Sequence, residues 1–311
     1  MRELTLTRHT HAIDPVLHVW GWEIPVYLFL GGMVAGAMIL LGYSFLTRKH
    51  RERACVCSVL PAVSLVLLTG GMFALFLDLE HKLYVWRLYT TFEIASPMSW
   101  GAWILVLVYP ALVGAFLVRP PAILRGLSPA FDRAAAWAAS DRGVRLIGIA
   151  QVGLGVALGI YTGVLLSSLG ARPFWSSALL GPLFLFSGLS SAAAFTHMVA
   201  RDREESRLFA RADNLFLAVE LALIALFLIG LLQGPQAHRD AAGLILGGPF
   251  TASFWVFVVG LGIVLPLIVQ SLAVSHRIAH TPVAPLLVLA GGLALRFVIV
   301  YAGQYSHWTR L

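Results

Sequence analysis

Charge is what this 311-residue chain has least of. Asp, Glu, Lys and Arg make up 12% of it, 59% is hydrophobic, and the mean hydropathy is +0.84. Soluble domains carry about 25% charged residues, so half the polar surface of such a domain is missing. Cysteine is nearly absent. Cys55 and Cys57 are the only two, and an iron–sulfur cluster takes about four thiolates, so none can be built from this sequence. A lone C-x-C at a cytoplasmic membrane edge reads as a pair of inert thiols. Histidine is missing from the membrane interior: all ten lie in loops or close to the ends of apolar runs. That leaves no axial pair for a transmembrane b-type haem. Alternating ten-residue segments are missing too, which excludes a β-barrel. No loop is large enough to hold an active site alone.

What is present is a set of eight continuous apolar runs, near 24–46, 57–78, 100–118, 146–168, 177–200, 214–233, 251–274 and 284–303. Each is close to the roughly 20 residues that cross the hydrocarbon as a helix. The sequence therefore reads as an all-α, polytopic membrane protein with eight transmembrane helices, a single domain over residues 1–311 surrounded by membrane lipid. Arginine and lysine orient it. Fourteen lie in the odd-to-even connections (Arg48 to Arg53, Arg119 to Arg145, Arg201 to Arg211, and Arg277), and seven lie on the opposite side. This bias predicts both termini outside the cytoplasm, in a bacterial or archaeal cytoplasmic (inner) membrane. It also accounts for the net charge of +7 with no nucleic-acid partner. The first run is too long, and too poor in preceding basic residues, for a cleavable signal peptide, so the first helix is expected to be the insertion signal.

In a chain this apolar, the polar residues that persist near the spans are the candidate working parts. They concentrate on the outer side. Trp20-Gly21-Trp22-Glu23-Ile24-Pro25-Val26-Tyr27 leads into the first span, and Glu23 and Tyr27, four apart, share a helix face. Gly31-Gly32-Met33-Val34-Ala35-Gly36 follows, a small-residue stripe that admits close neighbours. Leu77-Asp78-Leu79-Glu80-His81-Lys82 closes the second span, Ser96-Pro97-Met98-Ser99-Trp100-Gly101 opens the third, and Tyr161 lies in the fourth. Carboxylates and tyrosines thus converge at one membrane depth beside glycine-lined space.

Taken together, these segments resemble the NrfD/PsrC family, the quinone-reactive membrane subunits of polysulfide-reductase-like oxidoreductases. The resemblance rests on WGWEIPVYLFLGGMVAG (20–36), LDLEHK (77–82), SPMSWGAW (96–103), IYTGVLL (160–166), PFW (173–175), SGLSSAAA (187–194) and LRFVIVYAGQ (295–304). It covers nearly the whole sequence in the expected order. It implies eight helices in two four-helix bundles, and no haem, cluster or other metal in this chain. It implies menaquinone or ubiquinone as a diffusible substrate, and a quinone site near the docking face of a four-cluster iron–sulfur subunit. Beyond that subunit it implies a catalytic one, a molybdopterin enzyme or a multihaem cytochrome. Tyr27 takes the place of a first-helix histidine of some members, Glu23 that of an asparagine, and Tyr161 that of the fourth-helix tyrosine that contacts quinone. Asp78 matches the acid of the common LDLGRP version, which reads LDLEHK here. Gly32 falls in the quinone-facing stripe.

Quinone chemistry suits such a site. Reduction takes up two electrons and two protons; tyrosine hydroxyls can hydrogen-bond the carbonyl oxygens, and carboxyls can exchange protons. Glu23 and Asp78 are the expected proton carriers. Two charges fall inside spans, Glu220 in the sixth and Arg296 in the eighth, where each costs at least ~2.5–3.5 kcal/mol on insertion scales. They read as a buried polar pairing or, with Glu80, as a proton or charge relay, although their apparent depths argue against direct contact. Two other readings compete. A secondary transporter would show inverted repeats around a midplane site, and no convincing repeat relates the halves. A purely structural anchor would lack the carboxylate–tyrosine cluster.

Overall fold

The computed structural model describes residues 20–49, 55–274 and 282–308, except 125, 127, 169, 171 and 201. Both termini, Arg51, Arg53, Arg201, Arg277 and the histidines at 9, 11, 18, 50, 276 and 280 lie outside the described residues. Every regular element among the described residues is a helix, and eight of these helices are long and apolar enough to cross a membrane.

The first is α1 (Glu23–Leu46), followed by α2 (Leu60–Asp78), the short α3 (Arg87–Thr90) and α4 (Pro97–Val118). A short amphipathic helix, α5 (Pro129–Ala138), precedes α6 (Asp141–Ser168), α7 (Leu180–Val199) and α8 (Arg203–Gln233). Beyond them lie α9 (Gln236–Leu246), a π-helical segment (Ser253–Val264) that continues into α10 (Leu265–Val274), and α11 (Val283–Tyr305). All eight expected spans are present, within a few residues except at α6 and α8. The sixth spanning helix begins at Arg203 rather than near 214, because Asp202 caps it by accepting the Glu204 and Glu205 N–H groups at 3.1 and 3.2 Å. Such a cap satisfies backbone donors that helix starts leave unpaired. Prolines mark other starts, Pro61 in α2, Pro97 in α4 and Pro129 in α5, where a missing N–H costs nothing.

Cys55 and Cys57, expected as inert thiols, are instead joined as a disulfide ahead of α2. The single 3-10 turn at Val56–Ser58 folds the two positions together, their Cα atoms 5.1 Å apart.

Helix α1 is the most enclosed span and packs against α2, α6, α7 and α11. Its small residues allow this. A side chain at Gly36 would run into the Gly188 carbonyl and Ala192, so α1 and α7 meet nearly backbone to backbone, the packing that small residues permit in membranes. Because α1 joins elements of both halves, and α6 also packs on α7, these contacts do not establish the expected division into two four-helix bundles. Below, "outer" denotes the side opposite the arginine-rich connections.

Candidate functional site

At the outer end of α1, α2, α4 and α6 lies a partly open cavity of about 230 Å³. Each element supplies a turn near its end. Ile24, Tyr27 and Leu28 come from α1, Leu75 and Asp78 from α2, Gly101 and Ala102 from α4, and Tyr161 and Leu165 from α6. The connection after α2 adds Glu80, Leu88 and Tyr89. The walls are mostly apolar, while the polar side chains are three phenols, two carboxylates and the Trp20 indole. Such a cavity, apolar with a few convergent polar groups, is the form a ligand site takes.

Tyr27 is buried, and its hydroxyl lies close enough to those of Tyr161 and Tyr89 for electrostatic interaction. The Tyr161 hydroxyl hydrogen-bonds the Gly101 backbone. A side chain at Gly101 would overlap the Tyr161 ring, so this glycine makes the space in which the phenol sits. Asp78, the last residue of α2, is half-buried and interacts with Glu23. The Glu23 side chain folds back towards Gly21 at the mouth of α1 and is not among the cavity-lining residues.

Trp20 forms another part of the wall. The Gln304 side chain of α11 grips its backbone twice, accepting the Trp20 N–H at 3.2 Å and donating to the Trp20 carbonyl at 3.1 Å. The Trp20 ring stacks on Trp175 at 5.2 Å, and Trp175 donates its indole N–H to the Ile299 carbonyl at 2.8 Å. The last spanning helix therefore fixes the wall of a cavity built by the first half.

Glu220 and Arg296 come together deeper in the bundle. The Arg296 guanidinium donates to Ser187 Oγ and to the Phe184 carbonyl, both at 3.0 Å, and lies over the Phe184 ring at 4.1 Å. Glu220 hydrogen-bonds the same Ser187 and feels the Arg296 charge. Ser187 thus bridges the two, so they meet through a hydroxyl. Two turns before Glu220, Asp213 accepts from Ser190 Oγ and from Gln270 Nε2, each at 2.8 Å. Gly32 faces this cluster rather than the cavity: a side chain there would press on Arg296, with Gly188 beyond. Glu80 stands apart at the outer mouth, among the residues that edge the cavity.

Of the expected site residues, Tyr27, Tyr161, Asp78 and Glu80 thus share the cavity, Glu23 stands beside it, and Gly32, Glu220 and Arg296 form a separate group. Sequence reasoning missed Tyr89, which no periodicity marks because it sits in a connection. It also missed Asp213, which the span limit at 214 excluded. The seven-residue spacing of Asp213 and Glu220, two turns on one face, was the signal that could have found it. A larger recess of about 370 Å³ between the π-helical segment and α11 is lined by apolar residues with Ser253 and Tyr301, and carries no ionisable carboxylate. No group of three or more potential metal ligands occurs among the described residues.

These features define an integral membrane protein with a phenol- and carboxylate-bearing cavity at one end of its helices. The family model described as "Polysulphide reductase, NrfD" matches residues 8–306, and the protein belongs to that family. It is 29% identical to a polysulfide reductase chain of Wolinella succinogenes, over 92% of this sequence and 94% of that protein. Identity to protein NrfD of Escherichia coli is 31%, covering 93% and 96%. A selenate reductase subunit of Mesobacillus selenatarsenatis is 28% identical over 90% of this sequence and 73% of its own length.

Proposed function

We propose that this protein is the quinone-reactive membrane subunit of a multi-subunit oxidoreductase. It exchanges electrons between a docked iron–sulfur subunit and the quinone pool at the outer cavity. The observation that carries the reading is that cavity, where Tyr27, Tyr161 and Asp78 from three different helices converge on one apolar space. Relatives named as parts of polysulfide and selenate reductases support a partner that holds the catalytic centre, a molybdopterin enzyme or a multihaem cytochrome. A four-cluster iron–sulfur protein would connect it to this membrane subunit.

Converting a quinone to the quinol takes two electrons and two protons. Tyr27 and Tyr161 donate hydrogen bonds to the head-group oxygens and orient the ring, while Glu23 and Asp78 exchange the protons with outer water. The electrons come from, or go to, the docked subunit. Menaquinone and ubiquinone both fit this chemistry. Glu220 and Arg296, with Asp213, are read as a charge relay between the cytoplasmic side and the cavity, coupling the reaction to proton translocation, and Glu80 as a proton group at the mouth. The cytoplasmic (inner) membrane, with both termini outside, is the location that the arginine bias supports. Reporter fusions after Arg207 should read cytoplasmic, and fusions at Gln236 external; the reverse would move the cavity to the other leaflet.

The decisive experiment is affinity isolation of the protein from native membranes, with partner identification and titration of a quinone-site inhibitor. Co-purification of an iron–sulfur protein and inhibitor-sensitive quinone turnover are expected. An isolated protein that binds no quinone and no redox partner would overturn the reading in favour of a transporter. Partners without quinone binding would leave a structural anchor.

A further inference from the structure

The connection between α2 and α4 forms the outer wall of the cavity, and the proposed reaction gives it no part beyond Glu80. Within it α3 turns two residues inward, Leu88 and Tyr89, while its flanking residues Arg87 and Thr90 are exposed. This inward turn is tied down. Ser99 Oγ accepts the Glu93 N–H at 3.0 Å and donates to the Thr91 carbonyl at 3.3 Å, and the Trp100 indole donates to the Ile94 carbonyl at 2.8 Å. Both anchors lie in the first turn of α4, immediately before Gly101, so one segment seats Tyr161 and fixes the approach of Tyr89. Phe92 adds an edge-on contact with Trp103 at 5.7 Å.

Tyr89 is half-buried and lines the cavity, and its hydroxyl makes no hydrogen bond to another of the described residues. It faces a cavity whose other phenols, Tyr27 and Tyr161, come from the opposite walls. We propose that Tyr89 is a third quinone-binding phenol and the residue at the mouth that sets which head group enters. Its hydroxyl hydrogen-bonds the head-group oxygen nearest the mouth, and its ring, with Leu88 and Met98, limits the width available to a one-ring or a fused two-ring quinone. Burial, above all, holds its phenol above the usual tyrosine value, so it serves as a neutral donor and not as a proton carrier. This inference rests on the quinone reading of the same cavity.

The test uses the complex purified from native membranes, with soluble benzoquinone and naphthoquinone analogues as substrates and a quinone-site inhibitor as competitor. Tyr89→Phe removes one hydrogen bond and should raise KM about three- to tenfold with little change in kcat. Tyr89→Ala also opens the mouth and should change the ratio of kcat/KM for the two ring sizes at least about fivefold, a shift of about 1 kcal/mol in relative recognition. Loop variants that merely disturb folding would lower kcat for both analogues together and leave the ratio alone, which would overturn the proposal. Wild-type turnover with unchanged KM and ratio in both variants would overturn it and spare the quinone reading. A wild-type complex that neither turns over quinones nor binds the inhibitor would overturn both.

Discussion

The two polar regions of this molecule put carboxylates to opposite ends. In the outer cavity the polar atoms face space: Asp78 and Tyr89 are half-buried, and the phenol of Tyr89 has no protein partner among the described residues. In the inner cluster they face one another in two hydrogen-bonded groups, Asp213 with Ser190 and Gln270, and Glu220 with Arg296 through Ser187. Open capacity beside a void suits a substrate that brings its own acceptors. Closed capacity inside the bundle holds charge where lipid would otherwise exclude it. Two imperfections mark the inner cluster: the buried Arg296 Nε and Gln270 Oε1 have no partner among the described residues.

If the contrast is right, breaking the closed cluster should do the most damage to the fold. Arg296→Leu leaves Glu220 in the bundle without its cation, and removing one member of a buried pair costs about 3–5 kcal/mol. The variant should largely vanish from the membrane or melt well below the wild type in detergent. Replacing Glu220 by Met as well should restore part of the stability, since an apolar pair strands no charge. Wild-type abundance and melting in Arg296→Leu would mean that the cluster carries no structural burden.

The open cavity should respond the other way, losing activity while keeping its fold. Glu23→Gln combined with Asp78→Asn keeps size and hydrogen bonding but carries no proton. Quinone-linked turnover should fall on the order of a hundredfold, a common contribution of a positioned acid or base, and its pH profile should flatten. Assembly with the partner subunits, read by co-purification, should survive. Full turnover with an unaltered pH profile in an intact complex would assign these carboxylates to interface solvation alone.

How much of this contrast was legible in the sequence follows from what hydropathy encodes. Eight spans could be read because each apolar run matches the membrane thickness. Tyr27, Asp78 and Tyr161 could be singled out because lipid makes polar residues at span ends rare. Tyr89 could not, since a short helix in a connection has neither period nor hydropathy signal. Asp213 was lost to a helix that continues beyond the apolar run on the strength of the Asp202 cap. Gly32 was grouped with the cavity because sequence orders residues along α1 but does not say which neighbour each faces, and it faces Arg296. The Glu220–Ser187–Arg296 bridge was hidden for the same reason: depth along separate helices was estimated, whereas contact depends on their relative tilt.

A smaller effect is expected within the cavity from Tyr161→Phe, which keeps the ring seated against Gly101 and removes only the hydroxyl. A hydrogen bond to a neutral group contributes about 0.5–1.5 kcal/mol, so quinone turnover should drop several-fold and inhibitor affinity should weaken with it. Unchanged values for both would remove Tyr161 from the site and leave Gly101 as a packing glycine.

The smallest effect is expected at the recess between the π-helical segment and α11, which is larger than the outer cavity yet lacks its chemistry. Its volume of about 370 Å³ exceeds 230 Å³, and it too offers a phenol, Tyr301. Size and a hydroxyl are therefore common to both places, and the carboxylates are what differ. If the carboxylates make the site, Tyr301→Phe should leave quinone turnover, its KM and the inhibitor titration within error of the wild type. A several-fold loss comparable to Tyr161→Phe would show that the reacting quinone also uses the recess, and an acid close to the head group would no longer be needed to explain where the chemistry occurs.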